Sequence, residues 1–284
     1  MSTIDLKSKT VNGLFWSALD GFANQGIQFL VGIILARLLT PHEFGLIGML
    51  TIFIALSQSF IDSGFANALI RKQDCTQVDY STVFYFNFVV SIIIYFVLFF
   101  SASSISVFFN EPQLELLLQV FGIGLILNAI GTIQRTILTK EINFKLLMRI
   151  SIVSSIISGI IAITLAYNNF GVWSLVVLTL SRFGFNSLLL WLWGKWMPNL
   201  VFSYASFKEL FSFGSKLLMS GLLDATYRNI YFLVIGKYFS SIELGYYTKA
   251  DQFKAIPSQY LTMIIQRVSY PLLSNIQEEI EKLQ

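Results

Sequence analysis

The chain has 284 residues, 55% of them hydrophobic and only 12% charged, with a mean hydropathy of +0.68 and a net charge of +3. A soluble domain carries roughly 25% charged residues, so this composition excludes an ordinary water-soluble globule and points to an all-α polytopic membrane protein. The single cysteine, Cys75, and the single histidine, His42, exclude an internal disulfide and histidine-rich metal chemistry, and no cofactor is expected.

About eight spans are predicted in chain order, near Leu14–Leu39, Phe44–Ile61, Val83–Ser101, Leu114–Gln134, Ile150–Tyr167, Gly171–Trp193, Leu217–Gly236 and Ile256–Ile276. The first is too long for a secretory signal and no small-residue cleavage site follows it. It carries Asp20, Asn24 and Gln28 at i, i+4 and i+8, one face of a helix. Polar groups inside a membrane are costly and mark functional positions.

Between the first two spans stands Thr40-Pro41-His42-Glu43. Thr40 is an N-cap, Pro41 suits the first helical position, and Glu43 closes a capping box. The stretch 35–47 (LARLLTPHEFGLI) matches 235–247 (IGKYFSSIELGYY) class for class, 200 positions later, with Ser240 and Glu243 in the capping positions. The repeat predicts a duplicated helical bundle. Capping outweighs a transport role for Glu43 or Glu243, and Gly45 and Gly245 allow close packing in each first turn.

The sixth span carries Arg182. After it, Tyr204–Lys216 reads as an in-plane helix that divides a first lobe (1–197) from an incomplete second one (198–284). The seventh span carries Ser220, Asp224 and Arg228, the polar stripe of the first span shifted by 200, and the eighth carries Arg267. Both stripes are expected to face one water-filled cavity between the lobes. Asp224 and Arg228 can also pair with each other one turn apart, and Arg267 can reach headgroups.

With a cytoplasmic N-terminus, twelve basic residues, Arg135 among them, fall on inner segments against four on outer ones, Arg37, Lys237, Lys249 and Lys254, in accord with the positive-inside rule. Trp16, Trp191, Trp193 and Trp196 then stand at the inner interface and Trp173 at the outer.

Guanidinium groups bind phosphate oxygens through paired hydrogen bonds and stay charged in a low-dielectric site. Arg182, Arg228 and Arg267 are therefore expected to hold an anionic, phosphate-bearing group. Asp20 and Asp224, with Asn24 and Gln28 in the same polar stripes, are expected to serve a coupling proton or sodium ion.

The runs FWSALDGFANQGIQFLVGIILARLLTPHEFGLIGML, FIDSGFANALIRK, DYSTVFYFN, FKELFSFGSKLLMSGLLD and ELGYYTKADQF resemble the bacterial Wzx-type polysaccharide flippases, a branch of the MATE-like exporters. The resemblance covers the whole chain. It implies two six-helix lobes around a V-shaped cationic cavity. It also implies transfer of an undecaprenyl-pyrophosphate-linked oligosaccharide across a bacterial inner membrane, with a polysaccharide polymerase and glycosyltransferases as partners and no nucleic acid. Against that pattern the second lobe has only two spans, which predicts a fragment, a truncated product or a chain that pairs with another copy. The competing readings are a MATE-like exporter of cationic drugs, which favours carboxylates over arginines at mid-membrane, and a non-transporting assembly partner. A membrane enzyme needs a catalytic cluster, and Asp74 and Asp79 in the inner loop have no such company.

Overall fold

The computed structural model describes residues 3–62, 64–72 and 74–254. Eight helices follow one another as α1 (Thr3–Leu38), α2 (Pro41–Asp62), α3 (Phe65–Arg71), α4 (Gln77–Phe109), α5 (Gln113–Lys140), α6 (Phe144–Tyr167), α7 (Trp173–Gly194) and α8 (Tyr204–Tyr238). A further helix, α9, starts at residue 241 and is described to 254. No strand occurs among the described residues. Six stretches are long and apolar enough to cross a membrane: Phe15–Leu38, Pro41–Arg71, Gln77–Phe109, Gln113–Lys140, Phe144–Tyr167 and Trp173–Gly194. The protein is thus an all-α, multi-pass membrane protein.

The seventh expected span lies within α8, which is not among those six and carries Asp224 and Arg228 in its second half. The eighth, with Arg267, lies outside the described residues. The stretch 204–216 differs from expectation. It is the first part of α8, which runs through Lys216 without a break, and its Phe207 and Leu210 pack on Phe65 and its neighbours.

The helices run up and down between two ends. At one end Lys72 lies beside the starts of α4 and α8. Its ammonium bonds Asp79 Oδ1 at 3.2 Å and Glu209 Oε2 at 2.9 Å, and Lys140 Nζ donates to the Leu69 carbonyl at 3.1 Å. The Glu209 carboxylate, then Asp79, hold the Lys72 ammonium above the ordinary lysine range against the opposing effect of burial. At the other end, the Thr40 end, Lys237 Nζ donates to the Phe108 carbonyl at 2.5 Å and lies over the Phe108 ring.

Local sequence starts several of the helices. Thr76 caps α4 in a full capping box. Its Oγ1 accepts from the Asp79 backbone N–H, and Asp79 Oδ2 accepts from the Thr76 N–H at 2.9 Å. Asn143 and Ser203 cap α6 and α8. Gly64, at φ 68°, makes the sharp α2–α3 turn, and a Cβ there would strike the Gly214 carbonyl and Leu217 of α8. This position demands glycine both for its conformation and for the close approach of α8.

The apolar core centres on α5. Leu114, Leu117, Leu118, Phe121 and Leu125 are buried with Leu46, Met49 and Leu50 of α2, Val176 of α7 and Phe232 of α8. Helix α1 packs on α6, where Leu35 meets Ala162 and Ala166. The tryptophans expected at the interface are partly committed to protein: Trp196 Nε1 donates to Gln77 Oε1 at 2.7 Å, and both Trp191 and Trp196 pack edge-on against Phe84.

Asp79 is almost wholly buried and serves both the α4 cap and Lys72. Asp79→Ala is expected to destabilise the fold by about 1–2 kcal/mol, since it removes the α4 cap, while Lys72 keeps its 2.9 Å ion pair with Glu209. Thermal unfolding in detergent measures this, and Asp79→Asn should lose less because the amide oxygen can still accept from Thr76.

Candidate functional site

Two hairpins meet at the Thr40 end, α1–α2 and α8–α9, and they meet in the same way from both sides. A Cβ added to Gly45 would collide with the Ser241 carbonyl oxygen, and a Cβ added to Gly245 would collide with the Pro41 carbonyl oxygen. Shifting the first pair by 200 gives the second with its members exchanged, which is the signature of a local pseudo-twofold axis between the two helix starts. The caps match as well. Glu43 Oε2 accepts from the Thr40 N–H at 2.6 Å, and Glu243 Oε2 accepts from the Ser240 N–H at 3.1 Å. His42 Nδ1 lies 2.7 Å from Ser241 Oγ, across the axis. The backbones touch here, so the Thr40 end is shut.

Behind this contact lies a cavity of about 280 Å³ enclosed by α1, α2, α6, α7 and α9. Aliphatic side chains such as Val31, Leu35, Ile47 and Leu178 make most of its wall. The polar groups are few: Gln28, Ser155, Ser158, Thr179, Arg182, Thr248, Lys249 and Gln252. None of the described lining residues is a carboxylate. Gln28 presents its amide oxygen to Arg182, accepting from Nη2 at 3.0 Å and Nη1 at 3.2 Å, so the guanidinium is positioned by a neutral hydrogen-bond partner.

A second, wider crevice of about 700 Å³ opens between α2, α3, α5 and α8, towards the Lys72 end. Polar and apolar surface share its wall, the polar part from Asp62, Asn67, Asn128, Thr132, Arg135, Asp224 and Arg228. Arg135 Nη2 donates to Asn186 Oδ1 of α7 at 2.7 Å. This side chain is exposed and lines the crevice. Arg135 and Arg182 are near enough to act on each other electrostatically, and Asp20 acts on both.

Each expected site residue now has a place. Arg182 and Gln28 line the central cavity. Arg228 lines the crevice instead, in a 2.8 Å ion pair with Asp224, and both side chains are more than half exposed. The single cavity expected for both polar stripes is corrected to two, because α8 packs along α2 and turns its charged face to α5, away from α1. Asp20 and Asn24 are taken up by α6. Asn24 Nδ2 donates to Asp20 Oδ1 at 2.6 Å, Ser155 Oγ donates to Asn24 Oδ1 at 2.7 Å, and Ser151 Oγ donates to Asp20 Oδ1. Arg267 lies outside the described residues.

Two cations were assigned elsewhere by sequence. Arg135 was expected just past the end of a span, but α5 continues five residues further, to Lys140, and carries it into the crevice. Lys249 was expected on an outer turn, but α9 carries it into the central cavity. The signal that could have found Lys249 was the repeat itself: position 249 corresponds to Met49, a core residue of α2.

Comparison of the sequence with known proteins finds a family and several relatives. The family model described as "Polysaccharide biosynthesis protein" matches residues 34–284. The chain is 27% identical to the lipopolysaccharide biosynthesis protein WzxC of Escherichia coli K12, over 99% of this chain and 57% of that one. It is 30% identical to the teichuronic acid biosynthesis protein TuaB of Bacillus subtilis 168, over 95% and 56%. It is 25% identical to the succinoglycan biosynthesis transport protein ExoT of Rhizobium meliloti 1021, over 99% and 56%. The chain spans a little over half the length of these curated relatives. No solved structure gives a significant match.

Proposed function

We propose that this chain, which belongs to the polysaccharide biosynthesis protein family, forms the substrate-holding half of a flippase for undecaprenyl-pyrophosphate-linked oligosaccharide. In this reading residues 1–197 are the first lobe and 198–284 begin the second. The Lys72 end faces the cytoplasm of a bacterial cell, with the N-terminus on the same side, and the closed Thr40 end faces out across the inner membrane. Further partners are a polysaccharide polymerase and glycosyltransferases.

The observation that carries the reading is the central cavity: an aliphatic wall with Arg182 and Lys249 on it and no described carboxylate. Such a site suits an amphiphilic anion, because two basic side chains and no described carboxylate stand on an otherwise mostly apolar wall. The crevice supplies the complement. Its Asn, Thr, Ser and Asp side chains match sugar hydroxyls, and Arg135 and Arg228 draw the diphosphate inward. Asp20, linked electrostatically to Arg135 and Arg182, is the candidate coupling carboxylate, held by Asn24 and Ser151; Asp224 is its weaker counterpart in α8.

The competing exporter of cationic drugs calls for acids where this cavity has bases. Vesicles containing the assembled transporter should translocate a lipid-diphosphate-linked oligosaccharide and not ethidium. Ethidium transport without the lipid-linked sugar would overturn the proposal in favour of the drug exporter.

A further inference from the structure

Lys249 occupies an unusual position. It belongs to α9, in the second repeat, yet it lines the cavity that Arg182 lines from the first. Its ammonium lies 3.8 Å from the centre of the Phe44 ring and 3.3 Å from Gln252 Oε1. Phe44 sits in the first turn of α2, one residue before Gly45, where the two helix starts touch. The Lys249–Phe44 contact therefore runs across the pseudo-twofold axis and fastens the closed end from inside the cavity. The ring is a weak partner for an ammonium that could instead reach a phosphate oxygen, since a charge-assisted hydrogen bond is the stronger interaction.

We propose that Lys249 is a second anion contact of the central cavity, and that it exchanges the Phe44 ring for the anion, loosening the Thr40-end contact when the cavity fills. The proposal rests on the anion-holding reading of the cavity given above. It makes the fastening sensitive to cargo: an empty cavity keeps the ammonium on the ring and the helix starts together, and a diphosphate draws it down, away from α2. The anion thereby binds the loosened state more tightly than the closed one, which is the condition for a ligand to shift a two-state equilibrium.

The test uses the whole chain with Cys75→Ser and the pair His42→Cys and Ser241→Cys, positions whose side chains now touch across the axis. Disulfide formation between the introduced thiols reports closure, and inorganic pyrophosphate is the probe. Pyrophosphate should slow the crosslink several-fold in this background. Adding Lys249→Met should weaken pyrophosphate binding several-fold and abolish its effect on the crosslink even at saturation, and Lys249→Arg should restore both. The proposal is overturned if Lys249→Met leaves the pyrophosphate effect intact. It is also overturned if the parent binds pyrophosphate with no change in crosslinking, an outcome that leaves the anion-holding cavity standing. If the parent binds no pyrophosphate at all, both readings fall together.

Discussion

Arg182→Gln is expected to slow translocation of a lipid-diphosphate-linked oligosaccharide by about 10- to 100-fold while leaving membrane insertion and thermal stability nearly unchanged. The magnitude follows from the loss of charge-assisted hydrogen bonds to a phosphate, roughly 1.5–3 kcal/mol in net terms. The guanidinium is held by Gln28 and faces no described carboxylate in the cavity, so its removal breaks no direct ion pair there. The stability cost is therefore small and the functional cost large, a separation that a merely structural arginine would not show. Arg182→Lys should fall between the two, because an ammonium keeps the charge and loses the paired geometry. Arg228→Gln provides the contrast. That side chain already pairs with Asp224 at the open crevice, so a milder loss is expected. Equal and full transport by Arg182→Gln would remove Arg182 from the site.

Gly45→Ala is expected to destabilise the protein by about 1–3 kcal/mol and to separate the Thr40-end helix starts, although alanine is the better helix former in isolation. The new methyl group would occupy the position of the Ser241 carbonyl oxygen, so one backbone must move relative to the other. Because a backbone cannot rotate aside as a long side chain can, the clash is relieved only by parting the two repeats. Gly245→Ala should behave alike, since its methyl would strike the Pro41 carbonyl in the symmetry-related contact. Gly26→Ala is the control: nothing lies within 4 Å of its added carbon, and propensity alone should leave it neutral or stabilised by up to about 1 kcal/mol. Thermal unfolding of the three variants in one detergent makes the comparison, and matched behaviour at positions 26 and 45 would contradict the close contact.

The parts of this molecule that sequence reveals are those set by neighbours along the chain. The capping boxes at Thr40–Glu43 and Ser240–Glu243 were legible because three residues of spacing decide them. The repeat was legible because it conserves that spacing across 200 positions. Arg182 was legible as a charge deep within an apolar run. Other features depend on which helix lies beside which. Ser151 and Ser155 read as ordinary small residues of α6 until α1 brings Asp20 and Asn24 against them. Arg135 resembles a loop cation because an apolar run stops at Gln134, whereas the helix continues and packing against α7 gives the side chain its interior partner, Asn186. Lys249 counts in sequence as a basic residue of an outer segment, beside Lys254, and only the crossing of α9 over α2 turns it inward. The division of the expected cavity into two has the same origin. The stripes on α1 and α8 have identical spacing, but α6 covers one and the crevice exposes the other.

Titration of the purified chain with inorganic pyrophosphate, beside Arg182→Gln, tests the anion-holding cavity most directly. Saturable binding that weakens by about 10- to 100-fold in the variant is the predicted result. Binding of the same strength in both proteins, or preference for an organic cation over pyrophosphate, would contradict it.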